Sequence, residues 1–65
     1  DVEDTKRDVQ TSLSRMNPRY ARVLSLRLLE GRSREDCAEL LGVSIGNLDV
    51  LLHRACKAFR KVYPP

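Results

Sequence analysis

Three residues, Gly42-Val43-Ser44, separate two stretches that read as helix, Arg34 to Leu41 and Ile45 to about Val62. A link this short cannot fold the second helix back alongside the first. The pair is therefore expected to cross steeply, which is the geometry of a helix-turn-helix. The residues support that geometry one by one. Ala38 is small where the second helix passes close to the first, and Gly42 supplies the positive φ the turn needs. Ser44 is an N-cap that leaves the amide end of its helix pointing outward, favourable for a phosphate. Cys37, Leu41, Val43, Leu48 and Leu51 are apolar where the pair faces the rest of the molecule. That leaves Ile45, Gly46, Asn47, Asp49 and Val50 for the outer side, at a width that a DNA major groove admits.

Two further helices are marked out upstream. Val2, Val9, Leu13 and Met16 repeat on one helical face over residues 2–15, with Asp1 as a candidate cap. Asn17-Pro18 opens the next helix, with Asn17 as N-cap and Pro18 at the first position. This helix runs to Glu30 and is apolar nearly all round, as a central helix should be, and Gly31 ends it. Leu26 and Leu28 together exceed what one apolar face needs; they read first as core, with an exposed apolar patch at one of them as the alternative. Ser33 then caps the first helix of the motif, with Asp36 three residues on, and Pro64-Pro65 stops the last helix after Val62. Tyr20, Leu24, Leu48, Leu52, Ala55 and Phe59 are core candidates. No stretch alternates like a strand. The expected fold is all-α, a four-helix helix-turn-helix domain whose long C-terminal helix is the recognition helix.

Size and charge narrow the function. Sixty-five residues make one small domain that buries only about 60% of its unfolded surface. It has no room for an enclosed substrate cavity, so no catalytic residues and no cofactor are expected. Cys37, Cys56 and a lone His53 do not make a zinc set, and no metal is expected. The two cysteines read as thiols in a reducing compartment. Neither an export leader nor an apolar run near the roughly 20 residues of a membrane span is visible. A cytoplasmic location with no membrane partner is the expectation. The start at Asp1, with Met16 the only methionine, reads as a piece cut from a longer protein. The formal net charge is +3, but residues 1–8 carry −2, and from Arg54 onward there are four bases and no acid. Such an excess favours a polyanionic partner.

From about Leu13 to Val62 the chain resembles region four of bacterial RNA polymerase sigma factors of the extracytoplasmic-function group. The residues carrying the likeness are MNPRYARVLSLRLLEGRSREDCAELLGVSIGNLDVLLHRACKAFRK, above all the Gly-x-Ser spacing and the terminal Arg-Ala. The family pattern runs L-P-x-R-Y-R-x-V-L-x-L-R-x-x-E-G-x-S-x-x-E-I-A-x-x-L-G-V-S-x-G-T-V-x-x-x-L-x-R-A. The resemblance implies that Tyr20–Leu29 is a supporting helix, Arg34–Leu41 the first motif helix, and Ile45 onward the recognition helix. It also implies double-stranded promoter DNA, read at the −35 element, and the RNA polymerase core, bound through its β flap, as partners. An anti-sigma factor is a further candidate partner, which an exposed apolar patch would suit. Residues 13–63 would form the domain, and residues 1–12 would be linker and first-helix start following a missing upstream domain, with the acidic Asp1 to Asp8 in the linker. The effector domain of a response regulator shares part of this rhythm and is an alternative. So is a protein-interaction module that has lost promoter reading.

The chain departs from the pattern where DNA would be read. Asn47-Leu48-Asp49-Val50-Leu51 stands in place of Thr-Val-Lys-Ser-Arg, with two positive charges lost and one negative gained. Asp49 has three readings: an acceptor for a cytosine amino group, a carboxylate held off the phosphates by a neighbouring Arg, or a mark of weak affinity. Weak intrinsic affinity, supplemented by polymerase binding through effective concentration, is the expectation. The candidate DNA-binding residues are Arg32, Ser33, Arg34, Ser44, Ile45, Gly46, Asn47, Asp49, Val50, His53, Arg54 and Lys57. Asn47 suits an adenine edge, Ile45 and Val50 suit thymine methyl groups, and the cations suit phosphates.

Overall fold

The computed structural model describes residues 2–65, so the cap assigned to Asp1 lies outside the described residues. The helices are α1 (Val2–Ser14), α2 (Pro18–Leu24), α3 (Arg34–Leu41) and α4 (Ile45–Val62). A single π-helical segment, Ser25–Leu29, continues α2, and no strand occurs among the described residues. The fold is all-α, as the sequence implies.

The boundaries fall where the capping residues put them. Asn17 Oδ1 accepts a hydrogen bond from the Arg19 N–H at 2.9 Å, with Pro18 at the first helical position. Ser33 Oγ accepts from the Asp36 N–H at 3.0 Å, and Ser44 Oγ accepts from the Asn47 N–H at 3.1 Å. Each satisfies an amide that the helix itself leaves unpaired, worth about 1 kcal/mol. The end of α3 closes just as tightly. Gly42 has φ 69°, its N–H donates to the Glu39 carbonyl, and the Val43 N–H donates to the Ala38 carbonyl at 3.0 Å. This paired closure is a Schellman motif. Nothing lies within 4 Å of where a Cβ at Gly42 would sit, so glycine is needed there for the backbone angle alone.

The core gathers around α2 and α4, the most extensive helix pairing. Val23, Cys37, Leu48 and Ala55 are fully buried, surrounded by Leu13, Met16, Leu24, Leu26, Ala38 and Leu51. Tyr20, Leu41, Val43, Leu52 and Phe59 pack half-buried around this centre, so three of the core candidates sit at its edge. The Phe59 and Tyr63 rings stack with centroids 5.1 Å apart. Cys37 and Cys56 are free thiols.

Two features differ from the sequence reading. The helix expected to run as α to Glu30 widens at Ser25, where the Glu30 N–H reaches back five residues to the Ser25 carbonyl at 2.9 Å. Gly31 (φ 68°) then ends it, and the Arg32 N–H bonds the Leu26 carbonyl. The wider turn keeps Leu26 inside at 6% exposure and leaves Leu28 and Leu29 outside at 66% and 53%. Val2, placed on the apolar face of α1, is also exposed, because it lies at the start of α1, where little of the fold covers it.

Ser12 is a polar residue with no accessible surface. Its Oγ donates to the Val62 carbonyl at 3.1 Å and so fastens α1 to the far end of α4. In this part-buried setting a carbonyl deprived of its donor costs about 1–2 kcal/mol. Ser12→Ala is therefore expected to lower the melting temperature by roughly 5–15 °C in a domain of this size. A circular-dichroism melt within 2 °C (about the scan error) of the parent would show that this bond contributes little.

Candidate nucleic-acid interface

The outer stripe of α4 follows from helical periodicity. Leu48, Leu51 and Ala55 turn inward and are buried, so Gly46, Asp49, Val50, His53 and Lys57, spaced by three and four, share the opposite side. All five are exposed. Ile45, Asn47 and Arg54 flank this stripe and are exposed as well. Arg32, Ser33, Arg34 and Ser44 complete the candidate set, and all are accessible. The fold thus brings the front of α4 to the surface beside the start of α3.

The two candidate arginines at that start are already engaged. Arg32 Nε donates to Glu30 Oε1 at 2.9 Å. Its backbone carbonyl accepts from Arg27 Nη1 at 3.0 Å and from the Cys37 thiol at 3.9 Å, tying the π segment to α3. Arg34 grips Asp49 with both arms of its fork, Nε to Oδ1 at 3.0 Å and Nη2 to Oδ2 at 2.6 Å. The hydrogen bonds it donates to this carboxylate, and the carboxylate's charge, raise the Arg34 pKa above its ordinary value. The geometry realises the neighbouring-arginine reading of Asp49.

On the other flank of α4 the structure assembles a surface that sequence reasoning missed. The α1–α2 corner, carrying Arg15, Asn17, Arg19 and Tyr20, lies against the α4 residues Asn47, Val50, Arg54, Lys57 and Lys61. Two adjoining grooves run between them and share Asn17, Tyr20 and Arg54. Five cations line these grooves and no acid does. Arg15 and Arg19 flank the Asn-Pro cap, the one local signal that they sit at a corner rather than along a helix face. Among the described residues no group of three or more His, Cys, Asp and Glu comes together as a metal site would require, and no helix is long and apolar enough to cross a membrane.

The architecture and the exposed front of α4 coincide with a family match. The model of sigma-70 region 4 matches residues 6–59, most of the chain. The chain belongs to the sigma-70 region 4 family. Region 4 domains are helix-turn-helix, DNA-binding parts of sigma factors, with a regulatory rather than catalytic role in transcription initiation. Promoter DNA and RNA polymerase are the partners that membership in the region 4 family implies. No curated protein and no solved structure matches the chain.

Proposed function

We propose that this chain is the −35-reading module of an alternative sigma factor of the extracytoplasmic-function type. In this reading the front of α4 enters the major groove, with Ile45, Gly46, Asn47, Asp49 and Val50 toward the base edges. Ser44 and the α4 amide end meet one phosphate. His53, Arg54 and Lys57 run along the backbone, with Arg15 and Arg19 extending the contact, while Arg32, Ser33 and Arg34 lie at the opposite rim. The observation that carries the reading is the acid-free groove of five cations beside the exposed front of α4. The domain acts in the cytoplasm, and α1 follows an upstream sigma domain.

A mobility-shift titration against duplexes carrying −35 elements tests this. Binding is expected to weaken steeply with salt, and Asn47→Ala with Arg54→Ala together to weaken it by about 10-fold or more, since each lost base or phosphate contact costs about 1 kcal/mol or more. Unchanged binding in the double variant would remove this surface from consideration.

A second contact follows from the exposed leucines. Leu28 and Leu29 border an apolar groove of about 210 Å³ with Leu13, Leu24, Cys56, Phe59 and Arg60. An apolar groove of this kind suits an amphipathic helix. The polymerase β flap is the occupant proposed for it, and an anti-sigma factor would compete for the same place. Attachment there raises the effective concentration of the domain at the promoter, offsetting a recognition helix that is poor in positive charge.

A further inference from the structure

Asp49 is the residue of α4 least expected on a surface that meets DNA. A bare carboxylate near phosphates is repelled and forfeits counterion-release energy. Here it is not bare. Both its oxygens are held by the Arg34 fork, at 3.0 and 2.6 Å, while about half of each side chain stays accessible. The pair is neutral as a unit, so the electrostatic objection largely disappears.

The fork does not use up the carboxylate. An ionised Asp offers about four lone-pair sites, and a bidentate Arg occupies one on each oxygen. One acceptor site per oxygen remains. Two anchoring bonds also fix the plane of the group, so little further ordering is needed when a donor arrives. The setting is that of a reader rather than a spacer. Asp49 lies one turn beyond Gly46, where nothing stands within 4 Å of the missing Cβ and a base edge can come close. Ile45 and Val50 beside it are partly exposed and carry no competing donor.

The complementary group is an amino donor without an acceptor next to it on the same base. Cytosine presents its N4 amino group in the major groove in this way, whereas the adenine amino group sits beside the N7 acceptor, which repels a carboxylate. Resting on the promoter-binding reading above, we infer that Asp49 is a specificity-determining residue, positioned by Arg34 to accept a hydrogen bond from cytosine N4. Arg34 is the positioning residue; it turns a repelled group into a pre-aimed acceptor.

Selection from a random-sequence duplex pool by the full chain, at low salt, tests the inference. The parent is expected to enrich cytosine at one position by about tenfold over the other bases. Asp49→Ala loses that enrichment, and its selected pool shows no base excess at that position. Asp49→Asn moves the preference at the same position to adenine, whose N6 and N7 an amide engages together. Arg34→Ala weakens binding to every duplex, because it bares the carboxylate, and blurs the cytosine preference. Thermal melts of all three variants check that folding is intact. The inference is overturned if Asp49→Ala keeps the parent's preference at every position, or binds all sequences more tightly with no preference lost. A parent that selects no duplex and shows no salt dependence would instead defeat the promoter-binding reading, and this inference with it.

Discussion

Leu48→Ala is expected to leave little of the fold standing at physiological temperature. Leu48 has no accessible surface and lies on α4, which packs against both α2 and α3. Truncating such a leucine costs about 2–5 kcal/mol through lost transfer energy and the cavity left behind. A domain of 65 residues has a total stability of roughly 3–10 kcal/mol. The loss is thus a large share of the whole, and the melting temperature should fall by roughly 15–25 °C. Leu40 is the matching control: it lies on α3 with 48% of its surface accessible, and Leu40→Ala should change stability by less than about 0.5 kcal/mol. Urea titrations of both variants measure the difference. Equal midpoints would mean that the α2–α4 contact is not the centre of the core.

The largest effect on binding is expected from removing four cations of the groove together, Arg15, Arg19, Arg54 and Lys57, each replaced by Ala. Every phosphate contact on duplex DNA contributes about 0.9 to the slope of log affinity against log salt. Four lost contacts reduce that slope by roughly 3–4 and weaken binding near 0.15 M salt about a thousandfold. All four residues are exposed, so folding should be little changed. Lys6, which lines a separate groove with Val2, Val9 and Leu29, serves as the control. Its replacement should leave the slope where it was. If the fourfold variant and Lys6→Ala give the same slope, the α1–α2 corner does not meet the backbone.

These experiments also separate what the sequence makes legible from what it hides. Helix limits are legible because each depends on a side chain acting within three residues of itself. Asn17, Ser33 and Ser44 accept from nearby amides, and Gly31 and Gly42 take positive φ. The π segment is not legible, since Ser25–Leu29 carries no residue that demands a bond to the fifth neighbour, and packing decides it. Ser12 reads as an ordinary polar residue of an amphipathic helix, because its partner lies fifty residues away. The candidate interface divides the same way. Exposure at Ile45–Asn47, Asp49 and Val50 follows from periodicity, once Leu48 and Leu51 are taken as inward. The grip of Arg34 on Asp49 and the approach of Arg15 and Arg19 to Arg54 depend on how helices cross. Spacing along the chain does not carry that information.

The closure of α3 at Gly42 has a bearing on how such a chain diversifies. The turn is held by main-chain bonds from Gly42 and Val43 and by the Ser44 hydroxyl, none of which involves an outward side chain of α4. Positions 46, 50 and 53 are consequently free to be exchanged without touching the hinge that presents them. A lineage built on this chassis can acquire a new vocabulary one letter at a time, by point substitution alone, while its scaffold and its melting behaviour stay put.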